Sequence, residues 1–249
     1  MYFLPVLSDM TKRTRREFVA TAGVGVAGLV GVAGCLGAGG SDSQAEDDAG
    51  GSDSTTATSD GRSLDSHPAA RALDAQPQLG PSDATATIVA FEDPSCPRCR
   101  AFEQRTVPKI RSDLVDTGQA RFVARTYPVI YEWGRPAVDA LEATFARSDD
   151  AFWGLFEHYF AEQGSFSTDN VLPRTETWLA DNTDLDAAAV VDDAEAGAYD
   201  DAVQTDLDAG EAATVGRTTP TVFLFRDGEY VTRAGGSVSF DLITSALQL

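Results

Sequence analysis

Apolar residues recur along this chain at two spacings, and the changes from one to the other mark its elements. Residues 87–91 (Thr-Ile-Val-Ala-Phe) form an unbroken β-branched and apolar run, the pattern of a strand buried on both faces. Directly after it, residues 97–116 place Phe102, Val107, Ile110 and Leu114 at helical spacing, with Pro108 predicting a kink and Gly118 an end. Residues 120–125 return to strand character, so strand, helix and strand predict a βαβ unit with parallel strands. Residues 137–147, 151–163, 171–182 and 186–207 are rich in Ala, Leu, Asp and Glu and carry almost no strand signal, which predicts helices. A third apolar strand at residues 221–225, an Arg226-Asp227-Gly228 turn and residues 229–233 then predict a hairpin, and residues 240–249 an amphipathic helix. The whole is an α/β pattern: a central mixed sheet flanked by helices, with an all-helical insertion over about residues 134–212 between the second and third strands.

Upstream of residue 79 the pattern changes. Lys12-Arg13-Thr14-Arg15-Arg16-Glu17-Phe18-Val19 precedes a weakly apolar, Gly- and Ala-rich run over residues 18–34, which reads as a twin-arginine signal peptide spanning residues 1–34. Met10, just ahead of the basic cluster, is an alternative start. The competing reading is a permanent transmembrane helix, but the run is short, rich in glycine and poor in bulky apolar residues. It closes on Val32-Ala33-Gly34-Cys35, which resembles a lipobox and predicts Cys35 as the lipid attachment point. Residues 36–78 are built of Gly, Ser, Asp, Ala and Thr without an aromatic residue, and read as a disordered acidic tether that spans on the order of 35 Å. The folded domain is then expected over residues 79–249.

Charge narrows the function classes. With 39 acidic against 19 basic residues, and only Lys12 and Lys109 as lysines, the formal charge of -20 argues against nucleic-acid binding and fits a surface that stays hydrated in high salt, as in a halophilic host. The cysteines point to chemistry. Cys96-Pro97-Arg98-Cys99 stands at the strand-to-helix junction and holds the only cysteines besides Cys35. There Cys96 meets the free N–H groups and dipole of a helix N-terminus, which favour a thiolate, and Pro97 fits the first helical position without losing a needed donor. Arg98 adds positive charge, whereas Glu92 and Asp93 oppose the thiolate. Cys96 is therefore predicted as the attacking sulfur and Cys99 as the resolving one. An inert disulfide is the blander alternative, though so small a loop gains little from cross-linking. Zinc needs four ligands, and the chain adds only His67 and His158 to the pair, so no metal is expected.

The segment from Phe91-Glu92-Asp93-Pro94-Ser95-Cys96 through Pro97-Arg98-Cys99-Arg100-Ala101-Phe102 resembles the active site of the DsbA-like thioredoxin-fold oxidoreductases. So do Arg125-Thr126-Tyr127-Pro128, Phe152-Trp153 and Gly216-Arg217-Thr218-Thr219-Pro220-Thr221, and the resemblance covers residues 79–249. It implies a cis-proline at Pro220 facing the cysteines, with the Thr219 backbone free to pair with an extended substrate. It also implies a redox-active Cys96–Cys99 disulfide in place of a cofactor, cysteine-containing exported proteins as substrates, and a membrane partner of the DsbB or VKOR kind as reoxidant. Many thioredoxin-fold enzymes bury a carboxylate six residues before the first cysteine, where this chain has Ala90, and Glu92 is the nearest substitute. The expected activity is an extracytoplasmic protein disulfide oxidase on the outer face of the membrane. A reductase or isomerase using the same site, or a non-catalytic peptide-binding lipoprotein, stands as the alternative.

Overall fold

The computed structural model describes residues 63–249. The segment expected to be a signal peptide, Cys35 and most of the expected tether lie outside the described residues. Three long buried strands make the centre: β2 (Ala86–Glu92), β3 (Ala120–Thr126) and β4 (Thr221–Arg226), with the two-residue β1 (Gln78–Leu79) and β5 (Glu229–Gly235) at the edges. The sheet order is β1-β3-β2-β4-β5, with β2 and β3 parallel and the other neighbours antiparallel. Asp227 and Gly228 both have positive φ, 51° and 77°, which matches the twist of the β4–β5 hairpin.

Helix α1 (Pro97–Arg105) leaves β2, breaks at Thr106, resumes as the single turn α2 (Val107–Lys109) with Pro108 in its first turn, and continues as a π-type stretch over Ile110–Val115. The insertion between β3 and β4 comprises α3 (Gly134–Phe145), α4 (Asp149–Ala161), α5 (Val171–Asn182), α6 (Ala187–Glu195) and α7 (Asp200–Ala212). The single helix expected over residues 186–207 is two, because Gly197 adopts a φ of 63° between α6 and α7. Helix α8 (Phe240–Leu247) ends the fold.

Strand alternation divides the core. Ile88, Ala90, Phe122, Val222 and Leu224 face α1, the insertion and α8, while Val89, Phe91, Val123, Phe223 and Phe225 face the other way. What covers that second face corrects the tether expected over residues 36–78. Residues 63–77 pack across it together with α7, burying Ala69, Ala70 and Leu73. His67 stacks on Tyr230 at 4.7 Å between ring centroids and lies against Phe223 and Phe225. The fully buried Arg125 guanidinium pairs with Asp206 at 2.6 Å and donates to the carbonyls of Ala69 and Arg71. The strap thus satisfies a buried cation as well as covering apolar surface.

Candidate active site

The β2–β4 register pairs Phe91 with Thr221, so the end of β2 and the start of β4 lie side by side. The Cys96 turn and the residue 216–220 loop therefore face each other, although Cys96 and Thr219 are 123 positions apart. Cys96 is the N-cap residue of α1 and Pro97 its first helical residue. Both cysteines are buried and present as free thiols. The Cys96 sulfur lies 3.3 Å from the Thr219 carbonyl, and the Thr219–Pro220 bond is cis.

The two sulfurs are driven apart in acidity. Cys96 is lowered from the ordinary 9.0 to about 5, first by the Cys99 thiol donating to it and then by Thr219 and the backbone N–H groups of Cys99 and Arg98, against the opposing effect of burial. Burial above all pushes Cys99 well up, with the hydrogen bond to Cys96 and the charge of Glu92 adding to it. Arg98 thus reaches Cys96 through its backbone amide. Its guanidinium faces a cleft of about 330 Å³ whose walls include Phe102, Arg105, Lys109, Val238 and Phe240.

The surroundings give Asp93 and Glu92, both read as charges near the site, a setting the sequence did not show, and add Glu103 and Gln163, which sequence reasoning passed over. Asp93 Oδ1 accepts from the Ser95 amide at 2.7 Å and the Ser95 hydroxyl at 2.5 Å. Its Oδ2 accepts from the amides of Val129 and Ile130 at 2.8 and 2.7 Å, fixing the loop after β3 to the redox turn. Gly134 permits this approach, since a Cβ there would stand 2.7 Å from Asp93 Oδ1. Glu92 is fully buried with neither oxygen hydrogen-bonded, and Oε1 of the buried Glu103 is likewise unpartnered. Burial first, then the facing Glu103, raise Glu92 well above the carboxylate range, and burial lifts Glu103 to about 7. Glu103 shares the buried face of α1 with Cys99 and Phe102, a helical spacing that could have revealed it. Gln163, with no comparable signal, reaches in from the insertion to the carbonyls of Pro94 and Cys96.

Among the described residues no group of three or more His, Cys, Asp or Glu could hold a metal ion, and no helix is long and apolar enough to cross a membrane. His158 stacks on Trp178 at 5.4 Å within the helical insertion, and Cys35 lies outside the described residues.

The chain is 28% identical over 150 residues to Disulfide bond formation protein D of Bacillus subtilis, a match covering 60% of this chain and 67% of that protein. The fold superposes on oxidised BdbD from Bacillus subtilis with a TM-score of 0.61 at 23% identity, covering 71% of this chain and 92% of that one. It superposes on Chlamydia trachomatis DsbA with a TM-score of 0.58 at 20% identity, covering 70% and 88%. The profile of the family described as Thioredoxin matches residues 73–240. The chain belongs to the thioredoxin family and carries the fold of its DsbA-like members.

Proposed function

We propose that this chain is an extracytoplasmic thiol-disulfide oxidoreductase working as a dithiol oxidase, with Cys96 as nucleophile-facing sulfur and Cys99 as resolving sulfur. The observation that carries the reading is the divergence of the two thiols, Cys96 lowered to about 5 and Cys99 raised. A sulfur that is stable as thiolate is a good leaving group, so a disulfide containing it is easily reduced and oxidises others. A substrate thiolate attacks the Cys96 sulfur of the disulfide, the Cys96–Cys99 bond breaks, and Cys99 leaves as a thiolate and takes a proton. A second substrate thiolate then attacks the substrate sulfur of the mixed disulfide and expels Cys96 as thiolate. The substrate loses two electrons, the enzyme gains them, and a membrane oxidant of the DsbB or VKOR kind returns the pair to the disulfide.

The Thr219 carbonyl lies against Cys96 and its bond to Pro220 is cis, and on this reading the Thr219 backbone and Pro220 receive an extended substrate segment. The cleft beside them presents the exposed cations Arg98, Arg105 and Lys109 to the rest of that segment. The twin-arginine signal and lipidated Cys35 place the domain on the outer face of the membrane, and the tether between Cys35 and the strap raises its concentration near a membrane oxidant. Equilibrating the full-length chain against glutathione, with Cys96→Ser as control, tests the direction of exchange. A potential well above that of thioredoxin supports an oxidase, a thioredoxin-like value makes the protein a reductase or isomerase, and no exchange leaves a peptide-binding module.

A further inference from the structure

The redox helix is held from the insertion as well as from its own strand. Gln163 follows α4 in a short 3₁₀ turn and is 9% exposed. Its side-chain amide donates to the Pro94 carbonyl at 2.8 Å and to the Cys96 carbonyl at 3.0 Å. Both partners are acceptors, so only the NH₂ end of the side chain can serve here, and both of its protons are used. The two carbonyls flank the turn that starts α1, and the Cys96 carbonyl also accepts the first helical bond, from the Arg100 amide at 3.1 Å. A second tie runs the other way, from Arg100 Nη2 to the Ala161 carbonyl at the end of α4, 3.4 Å away.

We infer that Gln163 is a positioning residue of the redox centre, through which the helical insertion holds the Cys96 turn so that the N–H groups of Arg98 and Cys99 stay aimed at the Cys96 sulfur. With the amide gone, two buried carbonyls lose a donor and the turn rotates to satisfy them. The N–H groups of the first helical turn then move off the sulfur. This inference rests on the reading of Cys96 as the reactive thiolate. The titratable groups facing Cys96 are Cys99 from α1 and Glu92 from β2, with Glu103 behind Glu92, and none is altered by changing Gln163.

The test is ultraviolet thiolate titration and glutathione equilibration of the reduced full-length chain in four forms: wild type, Gln163→Leu, Gln163→Asn and Tyr159→Phe. Gln163→Leu keeps the volume and removes both donors, while Gln163→Asn keeps the amide but withdraws it by a methylene. Tyr159→Phe removes the 2.6 Å bond to Thr175 elsewhere in the insertion and controls for general loosening. A charge-assisted hydrogen bond is worth more than a tenfold change in equilibrium, so both Gln163 variants should move the Cys96 midpoint up by about one pH unit. That tenfold loss lowers the reduction potential by about 30 mV. Tyr159→Phe should leave both unmoved. The inference is overturned if the Gln163 variants titrate like wild type, or if Tyr159→Phe shifts Cys96 as far as they do. A wild-type protein whose Cys96 titrates as an ordinary thiol sinks the oxidase reading instead.

Discussion

Acidification through the titration of Cys96 should remove a calculable part of the stability of the reduced protein. Cys96 is lowered in the fold from 9.0 to about 5. A group whose folded value is depressed stabilises the fold above that value, in full only above the unfolded one, and the contribution is lost as the pH falls through the folded value. At pH 7 the unfolded thiol is still protonated and the folded one ionised, so the contribution spans about two pH units, or about 2.7 kcal/mol at roughly 1.36 kcal/mol per unit. The same quantity favours the reduced over the oxidised form and corresponds to about 60 mV of reduction potential. Urea unfolding of reduced wild type and Cys96→Ala, kept reduced with a phosphine and compared at pH 4 and pH 7, isolates it. Glu92 and Glu103 titrate in both proteins and largely cancel in the difference. The advantage of wild type over the variant should grow by about 2.7 kcal/mol between the two pH values. A constant difference, or a Cys96 midpoint above 8, would refute the placement of the first-turn N–H groups and the Cys99 thiol on this sulfur.

Other outcomes follow from the surroundings. Glu103, raised from 4.5 to about 7, costs stability increasingly as the pH climbs from 4.5 through about 7, so Glu103→Gln should raise the melting temperature at pH 8 and leave it nearly unchanged at pH 4. The ceiling is about 3 kcal/mol, and equal melting curves at pH 8 would show that the carboxylate is better solvated than its burial indicates. Gly134→Ala places a Cβ 2.7 Å from Asp93 Oδ1 and 3.0 Å from Ser95 Oγ. It should cost about 1–3 kcal/mol in urea unfolding and slow disulfide exchange, and a silent variant would mean the Asp93 staple yields without consequence. A chain shortened to residues 79–249 loses the strap that buries Ala69, Ala70 and Leu73 and satisfies Arg125. It should lose at least about 3 kcal/mol against a chain starting at residue 63, with dye binding to the uncovered sheet as a second readout.

The sheet was legible because β2 and β4 are buried on both faces and read as nearly continuous apolar runs, and because β3, though interrupted by Arg121 and Arg125, keeps Ala120 and, between the two arginines, Phe122, Val123 and Ala124. The cysteine pair was legible because its neighbours in sequence are also its neighbours in space. The strap was not: Ala69, Ala70 and Leu73 are too few and too small to show a period, and what orders them is Arg125, a residue more than fifty positions away. Gln163 was hidden for the same reason, being 67 positions from the carbonyl it holds. Glu92 was readable as a charge near the site, but its burial without a hydrogen-bonding partner follows only from the packing of Glu103 on the inner face of α1. Local periodicity reports which face is buried, not which distant polar group will be brought to it.

The 123 positions between Cys96 and Thr219 also bear on how the site is put together. Closing a loop of that size costs on the order of 4 kcal/mol in chain entropy, which the β2–β4 pairing and the packing around it offset. The acidity of Cys96 does not rest on that contact alone, since the Cys99 thiol and the amides of Arg98 and Cys99, all within three positions of it, lower it alongside Thr219. The thiolate is thus prepared largely within one helical turn while the loop facing it comes from far along the chain, so the acidity of the sulfur and the surface opposite it can be altered separately.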